Sequence, residues 1–179
     1  MRYADLHIHS IFSDGTYASE EIVTRARARG AALISVCDHN AVAGTLTAEA
    51  LARAAGLGYI RGVEIDALHR GVDVHILCYG ADLSNEALLA RIRHARARLD
   101  EMSAELLRRM RRDYPCLSPD EYEAFPHDSA LGGWKMLQYM KAKGVTPDLR
   151  AGFAFYERYG VRYADAGFDS AEQIIACIH

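Results

Sequence analysis

The chain has 179 residues, of which half are hydrophobic and a quarter are charged, and its formal net charge is −3. This length and composition predict a folded domain with a substantial core and exclude an intrinsically disordered chain. The weakly negative charge excludes a general basic field for nucleic acid or anionic membrane, so we expect no stable binding to duplex DNA.

The sequence shows no recognisable targeting signal, and its cysteine usage is typical of a cytoplasmic protein. No apolar run reaches the length that spans a membrane, and we expect no signal peptide before the first predicted strand. The four cysteines show no C-x-x-C spacing, so neither a zinc ribbon nor a redox pair is predicted. We expect free, buried thiols in a reducing compartment, which makes the cytoplasm the expected location.

The first eighty residues alternate between short apolar segments and amphipathic ones. The pattern predicts strands over 3–8, 32–37, 58–64 and 72–79, with helices over 19–29 and 45–55. Ser19 is a plausible N-cap of the first helix, and Gly30 a plausible end. Strands that alternate with helices imply parallel pairing, so the predicted class is α/β, as an open sheet or part of a barrel.

The second half of the chain reads differently. One long helix is predicted over 85–112, with an apolar stripe formed by Leu88, Ile92, Leu99, Met102, Leu106 and Met110. Shorter helices are predicted over 134–143, 148–159 and 171–178, and no convincing strand follows residue 79. Four strands are too few to close a barrel, so the predicted α/β part is incomplete.

Metal-ligating residue types fall on or directly after the predicted strands. His7 and His9 share one face of the first strand because strand side chains alternate. The others are Asp14, Asp38, His39, Glu64 and His75. In parallel α/β folds the carboxyl ends of strands meet at one edge, although His75 lies in mid-strand. Each residue alone could be a packed, capping or solvent-facing side chain, but together they predict a metal site.

Imidazole nitrogen and carboxylate oxygen suit zinc, manganese or iron. Glu64 and Asp14 are the candidates for bridging two ions, because crowded cations need a negative charge between them. Two such ions can share a hydroxide nucleophile and stabilise a phosphoryl transition state. No Ser-His-Asp triad is indicated, so we predict metal-activated water and no protein nucleophile.

These motifs together resemble the PHP (polymerase and histidinol phosphatase) domain superfamily. The resemblance rests on Asp5-Leu6-His7-Ile8-His9-Ser10 with Ser13-Asp14-Gly15, then Asp38-His39-Asn40, Gly62-Val63-Glu64 and His75-x-x-x-Tyr79-Gly80. It implies a distorted (β/α)7 barrel, two or three metal ions (Mn, Zn or Fe) and hydrolysis of phosphate esters. The implied ligands are His7, His9, Asp14, His39, Glu64 and His75, with Asp38 orienting a ligating histidine.

The layout is most similar to the nucleotide phosphatase and exoribonuclease branch, which carries a helical insertion. Residues 1–84 would then be the N-terminal part of the barrel and 85–179 the insertion, with the rest of the barrel absent. The later His-Pro and Asp-x-His motifs of the family are missing from this sequence. We therefore expect a C-terminally incomplete chain with a partial metal site, and its activity on its own stays open.

Substrate contacts are expected from the insertion. Arg93 and Arg98 lie on the long predicted helix, where the related branch places arginines near substrate phosphate. A solvated helix face is the simpler interpretation of this basic segment. Lys135 stands about where that branch carries a histidine and is a further candidate, ahead of His127. The aromatic residues over 153–159 are expected to pack rather than to stack on bases.

The predicted function is hydrolysis of a small phosphorylated substrate, a nucleotide or a short oligonucleotide such as RNA. A histidinol-phosphate-type phosphatase is the alternative enzyme, and it would need a pocket for an imidazole and an amine. A non-catalytic, metal-binding PHP module is the third possibility.

Overall fold

A computed structural model describes residues 3–178. Its strands are β1 Tyr3–Ile8, β2 Ala31–Val36, β3 Gly58–Tyr59, β4 Gly62–His69 and β5 Val72–Tyr79. Its α-helices are α1 Ser19–Ala28, α2 Ala43–Ala54, α3 Glu86–Met110, α4 Pro119–Ala124, α5 Lys135–Ala142, α6 Phe153–Arg158 and α7 Ala171–Ile178. None of these helices is long and apolar enough to cross a membrane. The predicted mixed α/β class is confirmed.

The strands form two sheets. β1, β2 and β3 pair in parallel, with β2 in the middle, as the strand–helix alternation predicts. β4 and β5 form an antiparallel hairpin, so the prediction of parallel pairing is wrong for this pair. The hairpin turns at Arg70 and Gly71, which both have positive φ, a combination that suits a tight two-residue turn. Within residues 3–178, the strands do not close into a barrel.

The single strand predicted over 58–64 is two strands. β3 pairs with β2 through Gly58 and Tyr59 only, and the chain then passes from one sheet to the other. At the crossing, the Ile60 N–H still donates to Ile34 in the first sheet at 3.1 Å, and the Arg61 carbonyl accepts from Gly80 beside the hairpin at 2.8 Å. Glu64 is therefore the third residue of β4 rather than the end of a strand.

Backbone hydrogen bonds join the two sheets directly after β2. The Asn40 N–H donates to the Glu64 carbonyl at 2.8 Å, and the Glu64 N–H donates to the Asp38 carbonyl at 3.2 Å. His39 and Glu64 thereby form an isolated parallel bridge. This junction places the residues that follow β2 beside the centre of β4.

The buried apolar residues form two clusters. The smaller one lies between the parallel sheet and α1 and α2 and includes Ile34, Val36 and Ala48. The larger one joins the β4–β5 hairpin to the helices that follow it. The predicted stripe of α3 is buried there, except for the half-buried Leu99.

Helix ends agree only in part with expectation. Ser19 is the first residue of α1 and not its N-cap, because its hydroxyl donates instead to the Gly44 carbonyl at 3.3 Å. Asn85 caps α3 by accepting from the N–H groups of Ala87 and Leu88. α4 was not predicted, although Ser118 followed by Pro119 is a normal start signal for a helix.

Candidate metal centre

The first strand places two imidazoles side by side. His7 and His9 lie two residues apart on β1, and their Nε2 atoms are 2.9 Å from each other. Both atoms also approach Oε2 of Glu64, at 3.0 Å from His7 and 2.9 Å from His9. The two histidines therefore meet one buried carboxylate oxygen, although β1 and β4 belong to different sheets.

The loop after β1 brings Asp14 to His9. Asp38 is fully buried and accepts hydrogen bonds from the Ser10 N–H and from the hydroxyls of Ser10 and Ser13. These bonds fold the loop back, so that Asp14 Oδ1 lies 2.6 Å from Nδ1 of His9. Gly15 allows this fold, because a Cβ there would collide with the backbone carbonyl of His9.

His39 reaches the same point from the end of β2. Its Nε2 lies 3.5 Å from Oε2 of Glu64, and its Nδ1 lies 3.1 Å from Oδ1 of the buried Asp66. Asn40, in the left-handed conformation, donates to the other Asp66 oxygen at 2.6 Å. Asp66 thus holds the ring of His39 in place. The sequence predicts this orienting role for Asp38, but the Asp38 carboxylate binds Ser10 and Ser13 instead.

The antiparallel hairpin explains why His75 can lie in mid-strand. His75 stands opposite Asp66 in the β4–β5 register, and its Nδ1 lies 3.0 Å from Oε1 of Glu64. Its ring centroid is 4.9 Å from that of His39. Glu64 therefore has histidines around both of its oxygens.

The cluster shifts the acid–base behaviour of its members. The hydrogen bond to Asp14, followed by the one to Glu64, raises the pKa of His9 to about 10. The hydrogen bond to Glu64 raises the pKa of His75 to about 9. Burial opposes ionisation of Glu64, but the surrounding histidines outweigh it and hold its pKa far below the ordinary value. The pKa of Asp14 is lowered in the same way, against burial, by His9.

All six predicted ligands come together. They form three groups whose candidate ligand atoms lie within 4.8 Å of one another: His7–His9–Glu64, His9–Asp14–His39 and His39–Glu64–His75. The groups share His9, Glu64 and His39, so neighbouring ions would have common ligands. Imidazole nitrogens converging on a buried carboxylate are a donor set that fits divalent zinc, manganese or iron.

The candidate substrate residues have hydrogen-bond and ion-pair partners outside the histidine cluster. Arg93 is exposed and its Nη2 is 3.5 Å from Glu86, while Arg98 pairs with Glu101. Lys135 donates to the Glu123 carbonyl at 2.9 Å. His127 is held by the Gly133 carbonyl at 2.9 Å. None of these four side chains makes a hydrogen bond to the histidine cluster within the described part of the chain.

Other side chains, not predicted from the sequence, stand next to the cluster. The Trp134 ring centroid is 5.8 Å from that of His39, and the Arg96 guanidinium lies 5.3 Å from the Trp134 ring. The loop that carries Trp134 is anchored where the Gly133 N–H donates to the Asp14 carbonyl at 3.0 Å. The sequence signal for this loop is the pair Gly132-Gly133, because glycine readily adopts positive φ, and both residues have positive φ in the structure. For Asp66, the signal was its i+2 spacing from Glu64 on one strand face.

Known proteins are similar to this chain in sequence and in fold. The chain is 34% identical over 102 residues to the 5'-3' exoribonuclease of Haemophilus influenzae, covering 57% of this chain and 37% of that protein. It is 36% identical over 96 residues to the 3',5'-nucleoside bisphosphate phosphatase of Chromobacterium violaceum, covering 54% and 34%. The matched region thus spans little more than a third of these curated relatives.

Two solved structures have a similar fold. A metal-dependent phosphoesterase from Bifidobacterium adolescentis superposes with a TM-score of 0.75 at 24% identity, covering 99% of this chain and 63% of that one. An amidohydrolase from Chromobacterium violaceum, solved with bound sulfate and no metal, gives 0.74 at 25% identity, covering 98% and 62%. The family model for the PHP domain matches residues 5–130, and the chain belongs to this family.

Proposed function

We propose that this chain carries the metal centre of a metal-dependent phosphoesterase. The observation that supports this most strongly is the meeting of four histidines around the two carboxylate oxygens of Glu64. A cluster of ionisable groups with strongly shifted pKa values is typical of a functional site, and the pKa values of His9, His75 and Glu64 are shifted in this way. The proposed ligands are His7, His9, Asp14, His39, Glu64 and His75.

The proposed cofactors are two or three divalent ions of manganese, zinc or iron. Three overlapping groups of ligand atoms support more than one ion, and the shared Glu64 is the proposed bridge. When bound, such ions stabilise charge on a phosphoryl group and activate water at neutral pH. The chain's own part is to hold the ligands: Asp66 fixes His39, and Asp38 fixes the loop that carries Asp14.

Water, and not a side chain, is the proposed nucleophile. The two hydroxyls closest to the cluster in sequence, those of Ser10 and Ser13, are buried and donate to Asp38 at 2.7 and 2.6 Å. A serine nucleophile needs a neighbouring general base such as histidine. Both serines instead serve a carboxylate that positions the loop.

The proposed substrates are small nucleotides or short oligonucleotides. The names of the matched relatives, an exoribonuclease and a nucleoside bisphosphate phosphatase, support this class. Arg93, Arg98 and Lys135 are proposed phosphate contacts for the parts of the substrate that extend away from the cluster. A histidinol-phosphate-type phosphatase and a non-catalytic metal-binding module remain the competing functions.

We further propose that residues 1–84 are the first part of a distorted (β/α)7 barrel and that residues 85–179 are a helical insertion. The run of helices from residue 86 onwards supports the second unit, and its core is shared with the β4–β5 hairpin. A cytoplasmic location is proposed because Cys37, Cys78, Cys116 and Cys177 are all free thiols. Cys37 and Cys78 are buried as expected, whereas the expectation of burial is wrong for the exposed Cys116.

The test compares metal content and phosphate release. Purified protein is analysed for bound metal beside the double variant His7→Ala/His9→Ala and a matched control, His69→Ala/His94→Ala, which removes two exposed histidines outside the cluster. We expect the first variant to lose metal and the control to keep it. Unchanged metal in the first variant would overturn the proposed site.

Activity then separates the three functions. Phosphate release is measured on adenosine 3',5'-bisphosphate and on histidinol phosphate with the metal-loaded protein. Release from the nucleotide alone supports the proposal, and preference for histidinol phosphate supports the alternative enzyme. Bound metal without release from either substrate supports the non-catalytic module.

A further inference from the structure

A cavity of about 310 Å³ opens beside the metal centre, on the side of the helical region. Its walls come mainly from α3, α4, α6 and the loop before α5, and they include five aromatic side chains. The residues that matter here are Arg96, Ser103, Tyr122, Trp134, Tyr156 and Tyr163. Small-molecule sites are typically concave, mostly apolar pockets with a few polar groups, of this size or larger.

Trp134 forms a wall that is common to the cavity and the cluster. One side of its ring lines the cavity, and an edge-on contact of 5.8 Å between centroids joins it to His39. Tyr163 lines the same cavity. A ligand in the cavity would therefore lie against the same Trp134 ring that contacts His39 of the cluster.

Hydrogen bonds on two sides fix the position of the Trp134 wall. Gly133 binds the Asp14 carbonyl through its N–H at 3.0 Å, and the buried Gln138 donates to the Gly132 carbonyl at 2.8 Å. The loop that carries Trp134 is thus held by the metal-centre loop on one side and by α5 on the other. A pocket with preset walls costs less ordering on binding than a flexible one.

The chemistry of the lining suits a flat, polar-edged ring. Tyr122, Trp134 and Tyr156 contribute aromatic rings to the lining, and the Arg96 guanidinium lies 5.3 Å from the Trp134 ring. Stacking on aromatic rings, with a contribution from arginine, is how proteins bind bases without reading every edge. The Ser103 hydroxyl, 3.1 Å from that of Tyr156, supplies a hydrogen-bonding group on the wall.

We propose that this cavity receives the nucleobase of the nucleotide whose phosphate lies at the histidine cluster. The proposal rests on the proposed function and adds a base-binding site to it. It differs from the expectation that the aromatic residues over 153–159 only pack. Phe155 and Tyr159 do stack on each other with centroids 6.3 Å apart, but Phe153 and Tyr156 line the cavity.

Trp134 provides a direct readout, because it is the only tryptophan of the chain. Its fluorescence is titrated in metal-free protein with adenosine 5'-monophosphate, ribose 5-phosphate and L-histidinol. The first two ligands differ only by the base. We expect saturable quenching by the nucleotide at about tenfold or lower concentration than by ribose 5-phosphate, as one stacked base provides. L-histidinol is expected to produce no saturable change.

Variants separate the cavity from general effects on folding. Phe153→Ala removes an exposed ring from the cavity mouth, and Tyr156→Ala removes a wall, while Tyr156→Phe keeps the π-face. Leu131→Ala is the matched control, an exposed apolar residue outside the lining. We expect the two alanine variants at 153 and 156 to weaken nucleotide binding, with unchanged far-UV circular dichroism in all variants. Tyr156→Phe should bind the nucleotide more tightly than Tyr156→Ala does, and Leu131→Ala should leave the affinity within about twofold of the parent protein.

Equal affinity for the nucleotide and ribose 5-phosphate, tighter binding of L-histidinol, or unchanged nucleotide affinity in Phe153→Ala and Tyr156→Ala would each overturn the base site. These outcomes are independent of metal. A protein that holds metal and releases phosphate but fails this titration loses only the base site. A protein that passes the titration but holds no metal keeps the base site and loses the proposed function.

Discussion

Replacing Asp66 by asparagine tests how the metal centre is held together. The Asp66 carboxylate receives two donors, Nδ1 of His39 at 3.1 Å and Nδ2 of Asn40 at 2.6 Å. An asparagine has one oxygen and one NH₂ group, so whichever way it is turned it presents a donor to one of these donors. The change keeps the size of the side chain and removes one of the bonds that fix His39.

The expected magnitude follows from that lost bond. Removing a hydrogen-bond partner of a ligating histidine typically lowers metal affinity by about 10- to 100-fold, or about 1.4 to 2.8 kcal/mol. We expect a loss in this range for Asp66→Asn, because His39 belongs to two of the three ligand groups. The affinity is measured by competition with a chromophoric chelator, using Zn²⁺ and Mn²⁺ in separate series.

The matched control is Asp120→Asn, which changes an exposed aspartate at the start of α4. Its metal affinity should equal that of the parent protein. If Asp66→Asn folds normally and also binds metal as tightly as the parent, His39 does not depend on Asp66, and the proposed support of the centre is refuted.

Two further measurements examine the charge state of the centre and the helical core. Because the pKa values of His9 and His75 are raised to about 10 and about 9, both are protonated at pH 7 without metal, and ligation must release these protons. Metal affinity should therefore increase from pH 6 towards pH 9, and calorimetry in buffers of different ionisation enthalpy should show proton release; binding without release would contradict the shifts. In the metal-free protein the stabilisation from these histidines is complete below their unfolded pKa, near 6.5, and is lost as pH rises through 9 to 10. Leu106→Ala, at a fully buried position of α3, should lower the free energy of unfolding, measured in urea, by about 2–5 kcal/mol. The control Leu46→Ala, at an exposed position of α2, should change it by less than about 0.5 kcal/mol. Equal effects of the two variants would contradict the assigned core.

The part of the fold that local pattern determines could be predicted. β1, β5 and α7 have the predicted limits, and α3 begins one residue and ends two residues inside the predicted helix over 85–112. In each case an apolar period of two or of about 3.6 residues continues to a clear breaker or cap. The apolar stripe of α3 could be read from the sequence because the helix packs one face on a single core.

The sheet pairing could not be predicted, since it depends on contacts distant in sequence. The segment from Gly58 to Glu64 contains Gly62 directly after the change of sheet at Ile60 and Arg61. A single glycine inside a strand pattern indicates a bulge or a close backbone approach, and does not show that the chain passes to another sheet. The hairpin turn at Arg70 and Gly71 also lacks the Asn-Gly or Asp-Gly pair that signals such turns most strongly. The alternation of strands and helices therefore predicts parallel strands where β4 and β5 form an antiparallel hairpin.

In the site, too, some residues could be predicted from the sequence and others could not. Residue type and strand position were enough to select six candidate ligands that the structure brings within reach of one another. The supporting residues could not be selected in this way, because Asp66 and Trp134 act through partners far along the chain. Asp38 has the right sequence neighbour for orienting His39, but its buried carboxylate is already bound by Ser10 and Ser13.

The location of the cluster explains why the ligands come from such different segments. β1 and the end of β2 belong to the parallel sheet, whereas Glu64 and His75 belong to the hairpin. The only backbone bridge between β2's end and β4 runs through His39 and Glu64 themselves, among the residues that the structure describes. Ions bound by these side chains would hold both sheets at this junction, and binding free energy that is gained only in the folded state adds to its stability. In this chain the proposed metal centre would therefore contribute to the packing between the two sheets as well as being the proposed place of reaction.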